Sequence, residues 1–226
     1  MCGRYGFSVK NAKEVYDRFE VVNTLDDLLP RYNIAPGQLN PVIVKHSPNS
    51  ITRMFWGLIP FFAKDDSFKY KTINARSEGI ESKPTYKKPF RYQRCLVPAT
   101  NFYEWDKSQK PSLPYAFFVK DQPIFAFAGL YDIWKDPRSG DEIHSYTIIT
   151  TEANEVVGKI HPRMPVILPK EEEEIWLNPD IIEPERLLPL LKPYPASHMK
   201  SYQISRAINN PSMDSEALLK PESNST

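Results

Sequence analysis

Proline limits what this chain can fold into more than any other residue. Twenty-two prolines are spread over 226 residues against only 8 glycines. Each proline fixes its own φ and removes a backbone donor, so helices stay short and loops are stiff and numerous. A pure helix bundle is disfavoured. Between the prolines, stretches 95–97, 101–106, 115–119, 125–131 and 145–151 are aromatic and β-branched, with turn signals between them. Ser139-Gly140 marks one hairpin-like turn. Upstream, 3–7 reads as a short strand, and 41–44 and 51–57 as a strand pair. Stretch 31–37 reads as a turn-rich loop, because residues before proline avoid the helical region.

Helical signals are local. Ser8 is the expected N-cap of a helix carrying Val9, Ala12, Tyr16 and Phe19 at helical spacing. Further short helices are expected at 85–93, 154–159, 170–177 and 184–191, and strands at 166–168 and 200–204, the latter closing the sheet. Stretch 61–71 reads as an exposed loop, and the tail from Pro221 as disordered. With no repeat or internal linker, the expectation is an α+β single domain over 1–220. Its core would be a curved or barrel-like, mainly antiparallel β-sheet with peripheral helices.

Composition excludes several classes. At 41% hydrophobic and 25% charged, the chain can bury a core and stay soluble. Positions 10–20 are charged rather than apolar, and no stretch approaches a membrane span, so a cytoplasmic protein is expected. Cys2 and Cys95 make no disulfide framework and belong to no ligand-spaced pair, so neither metal nor cofactor is expected. Cys95, in an apolar run, reads as a buried inert thiol. A net charge of +1 is no global nucleic-acid signal. Any such binding needs a local cluster, and Lys83, Lys87, Lys88, Arg91 and Arg94 form one with no acid among them. That run also reads as a solvated helix face, as does the acidic run 171–174.

Position 2 carries unusual chemistry. Removal of Met1 would leave Cys2 with a free α-amine and a thiol on adjacent carbons. An aldehyde condenses with the amine to an imine, and the thiol then closes a five-membered thiazolidine. With a pKa near ~7.8 against ~10.4 for lysine, the α-amine has a roughly 400-fold larger neutral fraction at pH 7. Four other stretches stand out. Asn74 and Arg76 lie two apart, on one side if their stretch is a strand. Glu104 sits in an aromatic strand, where a charge is costly unless paired. His161 and Arg163 flank Pro162 in a proline-stiffened loop over 160–165, and Phe61 and Phe62 follow Pro60 at an apparent loop tip. Each alone also has a plain structural reading.

Taken together and in order, six motifs resemble the SRAP (SOS-response-associated peptidase) family, abasic-site processing proteins that crosslink to single-stranded DNA. They are Met1-Cys2-Gly3-Arg4, Arg31-Tyr32-Asn33-Ile34-Ala35-Pro36, Phe55-Trp56-Gly57-Leu58-Ile59-Pro60, Ile73-Asn74-Ala75-Arg76-Ser77-Glu78, Phe102-Tyr103-Glu104-Trp105 and His161-Pro162-Arg163-Met164-Pro165. The resemblance runs from Cys2 to about Asn210. It implies that Cys2 is the crosslinking nucleophile and that Asn74, Glu104 and His161 complete the site. It implies phosphate contacts from Arg4, Arg76 and Arg163, base stacking by Phe61 and Phe62, and Asn33 and Pro36 near the DNA. The arginine usual before the next helix is replaced here by Lys83 and Pro84.

The leading expectation is a monomeric sensor and shield of abasic sites in single-stranded DNA, nucleoid-associated when bound if the source is bacterial. Weak lyase activity is a corollary, because imine chemistry promotes β-elimination. Two alternatives stay open. One is a cysteine peptidase (a hydrolase with Cys2 as nucleophile and His161 as base), acting once to remove the initiator methionine or a leader. The other is a non-covalent DNA-binding module.

Overall fold

The computed structural model describes residues 2–45, 48–120 and 122–222. The first half of the chain forms β1 (Tyr5–Phe7), α1 (Ala12–Phe19), β2 (Arg31–Ile34), β3 (Leu39–Lys45), β4 (Asn49–Trp56), β5 (Asn74–Arg76), α2 (Pro84–Tyr92) and β6 (Arg94–Ala99). There follow β7 (Asn101–Asp106), β8 (Leu113–Val119), β9 (Phe125–Lys135), β10 (Glu142–Glu152), α3 (Glu155–Gly158) and β11 (Arg163–Pro165). The last elements are β12 (Ile167–Leu168), α4 (Lys170–Leu177), α5 (Pro184–Leu187) and β13 (Met199–Gln203).

Five strands close a ring. β10 pairs with β4, β4 with β3, β3 with β6, β6 with β9, and β9 again with β10. Only the β10–β4 step is parallel. β5 and β11 extend this barrel along β10, and β12 extends it along β9. A second sheet of order β13-β8-β7-β1-β2 packs beside it. The α+β, barrel-like, mainly antiparallel expectation therefore holds.

The barrel strands are buried on both faces along much of their length, β6 throughout and β9 from Phe125 to Leu130. Phe125 and Phe127 of β9 and Trp56 of β4 are fully enclosed, and burying a phenylalanine stabilises by about 1.5–3 kcal/mol. Tyr5 of β1 meets Trp56 and Phe127 edge-on at 5.1 and 5.8 Å. Its hydroxyl pairs with Tyr146 at 2.8 Å, and Asn40 Nδ2 donates to Tyr146 at 3.2 Å. These contacts fasten β1 to the barrel. Gly6 lets β1 lie against β7, since a Cβ there would come 2.3 Å from Asn101 Oδ1. Cys2 and β1 thus lie in the interior.

Several local expectations change. Stretch 31–34 is strand β2 rather than loop, because Tyr5 lies opposite Ile34 and Phe7 opposite Arg31. The α1 cap is Asn11, whose side chain accepts from Lys13 N–H at 3.0 Å, while Ser8 bonds Thr100 instead. Stretch 163–165, read as loop, is strand β11. The 184–191 helix is one α-turn, Pro184–Leu187, followed by a 3₁₀ turn, Leu188–Leu190. Pro221 bridges Ile204, and Glu222 N–H bonds Gln203 O, so 221–222 are ordered; 223–226 lie outside the described residues. The acidic run is not all solvated, since Glu173 is buried against Arg18. Arg94 leaves the basic face entirely. Its guanidinium is buried against the carbonyls of Phe90, Arg91, Trp176, Asn178 and Ile181, which ties the ends of α2 and α4 together. Among the described residues, no helix is long and apolar enough to cross a membrane.

A candidate active site around Cys2

Four elements distant in sequence meet at the start of the chain. Cys2 precedes β1 and is fully buried. β1 pairs with β7, and Tyr103 N–H donates to Arg4 O at 3.0 Å, which sets Glu104 beside the chain start. Asn74 opens β5, held parallel to β10 with Asn74 opposite Ile148. His161 lies between α3 and β11, where its backbone N–H bonds Val157 O.

The contacts are specific. Asn74 Nδ2 donates to Cys2 O at 2.8 Å, while its Oδ1 is buried and has no hydrogen-bond partner among the described residues. The Cys2 thiol donates to Arg4 O at 3.6 Å. Burial first, and then nearby Glu104, push the Cys2 thiol far above its ordinary pKa, so it stays protonated at rest. Burial also raises the Glu104 carboxyl, and His161 pulls it partly back. His161 Nδ1 lies 3.9 Å from Glu104 Oε1. The Arg163 backbone holds the same ring nitrogen, its N–H and its carbonyl each at 3.0 Å. A neutral Nδ1 accepts from that N–H, and a protonated Nδ1 donates to that carbonyl. Nδ1 can therefore serve as acceptor or donor without the ring turning.

The expected phosphate-binding arginines differ in their surroundings. Arg76 is exposed at the end of β5. Arg163 is forked onto the Glu78 carboxylate, Nη1 to Oε1 and Nη2 to Oε2, the second at 2.9 Å, and Nη2 also donates to Thr150 O at 2.6 Å. Arg4 is half-buried and donates through Nη1 to Asn33 Oδ1 at 2.6 Å and to Ile208 O at 2.9 Å. Asn33, expected near DNA, is fully buried, and its Nδ2 donates to the carbonyls of Ile208, Asn210 and Met213. It can reach a ligand only through Arg4. Pro36 is half-buried in the turn after β2.

Phe61 and Phe62 stand at an exposed tip, 51% and 47% accessible, with rings edge to face at 5.4 Å. The tip is anchored below. Buried Asp132 accepts from Phe61 N–H at 2.9 Å, and Trp134 Nε1 donates to Ala63 O at 2.7 Å. Gly57, at φ +135°, permits the loop to fold back, since a Cβ there would sit 1.9 Å from Lys69 O. With Pro84, Lys87, Lys88, Arg91 and Tyr92, the two rings line an open groove of about 550 Å³. Lys88 Nζ lies 4.3 Å from the Phe61 ring centre. Lys87, Lys88 and Arg91 of the basic run therefore join the aromatic tip, whereas Lys83 donates to Glu78 O and Arg94 is buried. The part played by Glu78 had no sequence signal, its partner lying 85 residues away.

Comparison with known proteins agrees with this arrangement. Residues 1–211 match the family model described as SOS response associated peptidase (SRAP). The chain is 41% identical over 224 residues to abasic site processing protein YoqW of Bacillus subtilis (strain 168), covering 97% of this chain and 99% of that protein. It is 32% identical to abasic site processing protein HMCES of Gallus gallus, over 85% of this chain and 66% of that one. A crystal structure of a protein from Bacteroides thetaiotaomicron superposes with a TM-score of 0.88 at 31% identity, over 97% of this chain and 99% of the other. With a family match over residues 1–211 that takes in buried Cys2 and both sheets, this chain belongs to the SRAP family.

Proposed function

We propose that this protein processes abasic sites in single-stranded DNA by forming a covalent thiazolidine through Cys2, once Met1 has been removed. The observation that carries the reading is the seat of Cys2. Its carbonyl is fixed by Asn74, whose buried Oδ1 accepts no hydrogen bond among the described residues, with the Glu104–His161 pair alongside. The names of the relatives as abasic site processing proteins support the same substrate.

The closed sugar must first open to its aldehyde, and His161, held in either protonation state, moves that proton. The α-amine of Cys2 adds to the aldehyde carbon, and water leaves as the imine forms. Glu104 accepts the proton that the amine sheds. The Cys2 sulfur then bonds the imine carbon, the C=N π pair goes to nitrogen, and the thiol proton ends there. Asn74 Oδ1 is available to a hydrogen of the amine or the sugar. Arg76 and Arg163 take phosphates, and the Phe61–Phe62 tip takes bases on its faces.

A buried, protonated thiol is a poor peptidase nucleophile. Ring closure tolerates it, because sulfur and imine share one carbon skeleton and effective molarities reach ~10⁵ M. The test is intact mass after mixing the Met1-free protein with an abasic single-stranded oligonucleotide. An adduct equal to protein plus oligonucleotide less one water is expected. Peptide turnover without adduct, or reversible binding alone, overturns the proposal.

A further inference from the structure

The Arg163 guanidinium is already occupied. Both terminal nitrogens face the two oxygens of Glu78, so the edge that would grip a phosphate holds a carboxylate of matching fork geometry. The pair is lopsided: the Arg163 side chain is 16% accessible and that of Glu78 58%. Thr150 O holds Arg163 Nη2 at 2.6 Å independently of Glu78, so the arginine keeps its seat when the carboxylate leaves. Arg163, and more weakly Arg76, hold the Glu78 carboxyl below the usual carboxylate range, so it is ionised at neutral pH beside two of the three expected phosphate clamps. It sits in the turn after β5, beside Gly79 at φ +68°, around which only Ser82 Oγ crowds a would-be Cβ, at 3.6 Å.

From this geometry we infer that Glu78 is a built-in competitor for the phosphate seat on Arg163, a specificity residue that restrains binding of undamaged single strands. The inference rests on the DNA-binding reading above. A phosphate can take the fork only if Glu78 turns into water, and leaving an exposed ion pair is a small cost that a well-placed strand overcomes. A strand bound elsewhere along the basic groove, without an aldehyde to capture, gains less from the exchange. The released carboxylate also takes up a cation from solution, which partly cancels the counterions released by DNA.

The experiment titrates an undamaged single-stranded oligonucleotide by fluorescence anisotropy at several salt concentrations. It uses the wild-type protein, Glu78→Gln, Arg163→Ala and the double variant. Glu78→Gln should bind about fivefold tighter, with a salt slope steeper by about one. In the Arg163→Ala background the Glu78 substitution should change neither quantity. Equal or weaker binding by Glu78→Gln makes Glu78 a brace for Arg163 and overturns the inference. So does an equal gain without Arg163, which would be a general charge effect. A wild-type protein that neither binds nor crosslinks an abasic strand overturns the underlying reading. A wild type that crosslinks, with Glu78→Gln unchanged on undamaged DNA, removes the competitor alone.

Discussion

Two arginine–carboxylate forks in this molecule have similar local geometry and opposite consequences. Arg18 meets Glu173 through two bonds of 2.7 and 2.8 Å, and Arg163 meets Glu78 in the same two-pronged way. The Glu173 side chain is 8% accessible and that of Glu78 58%. Glu173 is nearly enclosed, so losing its partner would strand a largely desolvated carboxylate. Glu78 is open to water, so its pair is exchangeable. Glu104 is a third case: buried like Glu173, but placed beside His161 rather than in an arginine fork. The Arg18–Glu173 fork is a staple, whereas the Glu104–His161 pair is our proposed route for protons.

The largest effect that sharpens this contrast is expected at Glu104. Glu104→Gln and His161→Ala should slow adduct formation ~10²–10⁴-fold, as loss of a general acid or base does, while binding of undamaged strands holds. Single-turnover gel assays beside binding titrations separate the two. Because burial raises the Glu104 carboxyl above its ordinary value of 4.5, its base form is lost as pH falls through that raised value. The wild-type rate should therefore climb with pH along an acid limb displaced above 4.5, and Glu104→Gln should lack that limb. Rate and binding falling together would return Glu104 to the class of Glu173.

Next comes the staple. Arg18→Ala strands a buried carboxylate and should cost about 3–5 kcal/mol by denaturant unfolding, with crosslinking intact under folding conditions. Glu78→Ala, by contrast, should shift stability by less than about 1 kcal/mol. Similar losses at both sites would erase the comparison. Phe61→Ala should weaken single-strand binding by about 1–3 kcal/mol if a base stacks there, with little change in folding. The smallest effect is at Arg76, which is exposed. Arg76→Ala should reduce the salt slope of binding by about one, equally for all sequences. An unchanged slope would take Arg76 off the strand's path.

What could be read from sequence follows how local each signal is. β7 and α4 match their expected bounds, 101–106 and 170–177, because an aromatic run and a run of helix formers declare themselves. β2 was hidden because its partners, Tyr5 and Phe7, lie more than twenty residues upstream, while Pro36 suggested a turn. The fate of Glu173 was partly legible. It shares a helix face with Trp176 and Leu177, three and four residues on, and both are buried. Arg94 was not legible, since its acceptors range from Phe90 to Ile181. Cys2, Asn74, Glu104 and His161 were found through their motifs, and the structure brings them together. Glu78 escaped notice because it becomes informative only once Arg163 is seen in its grip.

The central claim is that the α-amine of Cys2, and not its thiol alone, captures the abasic sugar. An uncleavable leader ahead of Cys2 turns that amine into an amide with no basic lone pair, while leaving the thiol and the arginines in place. Lysines cannot substitute, because at neutral pH they are almost wholly protonated. The measurement mixes leader-blocked and leader-removed protein with the same abasic oligonucleotide and resolves both on a denaturing gel. A stable adduct from the leader-removed protein alone, with non-covalent binding retained by the blocked form, is the predicted result. A stable adduct from the blocked protein would contradict it.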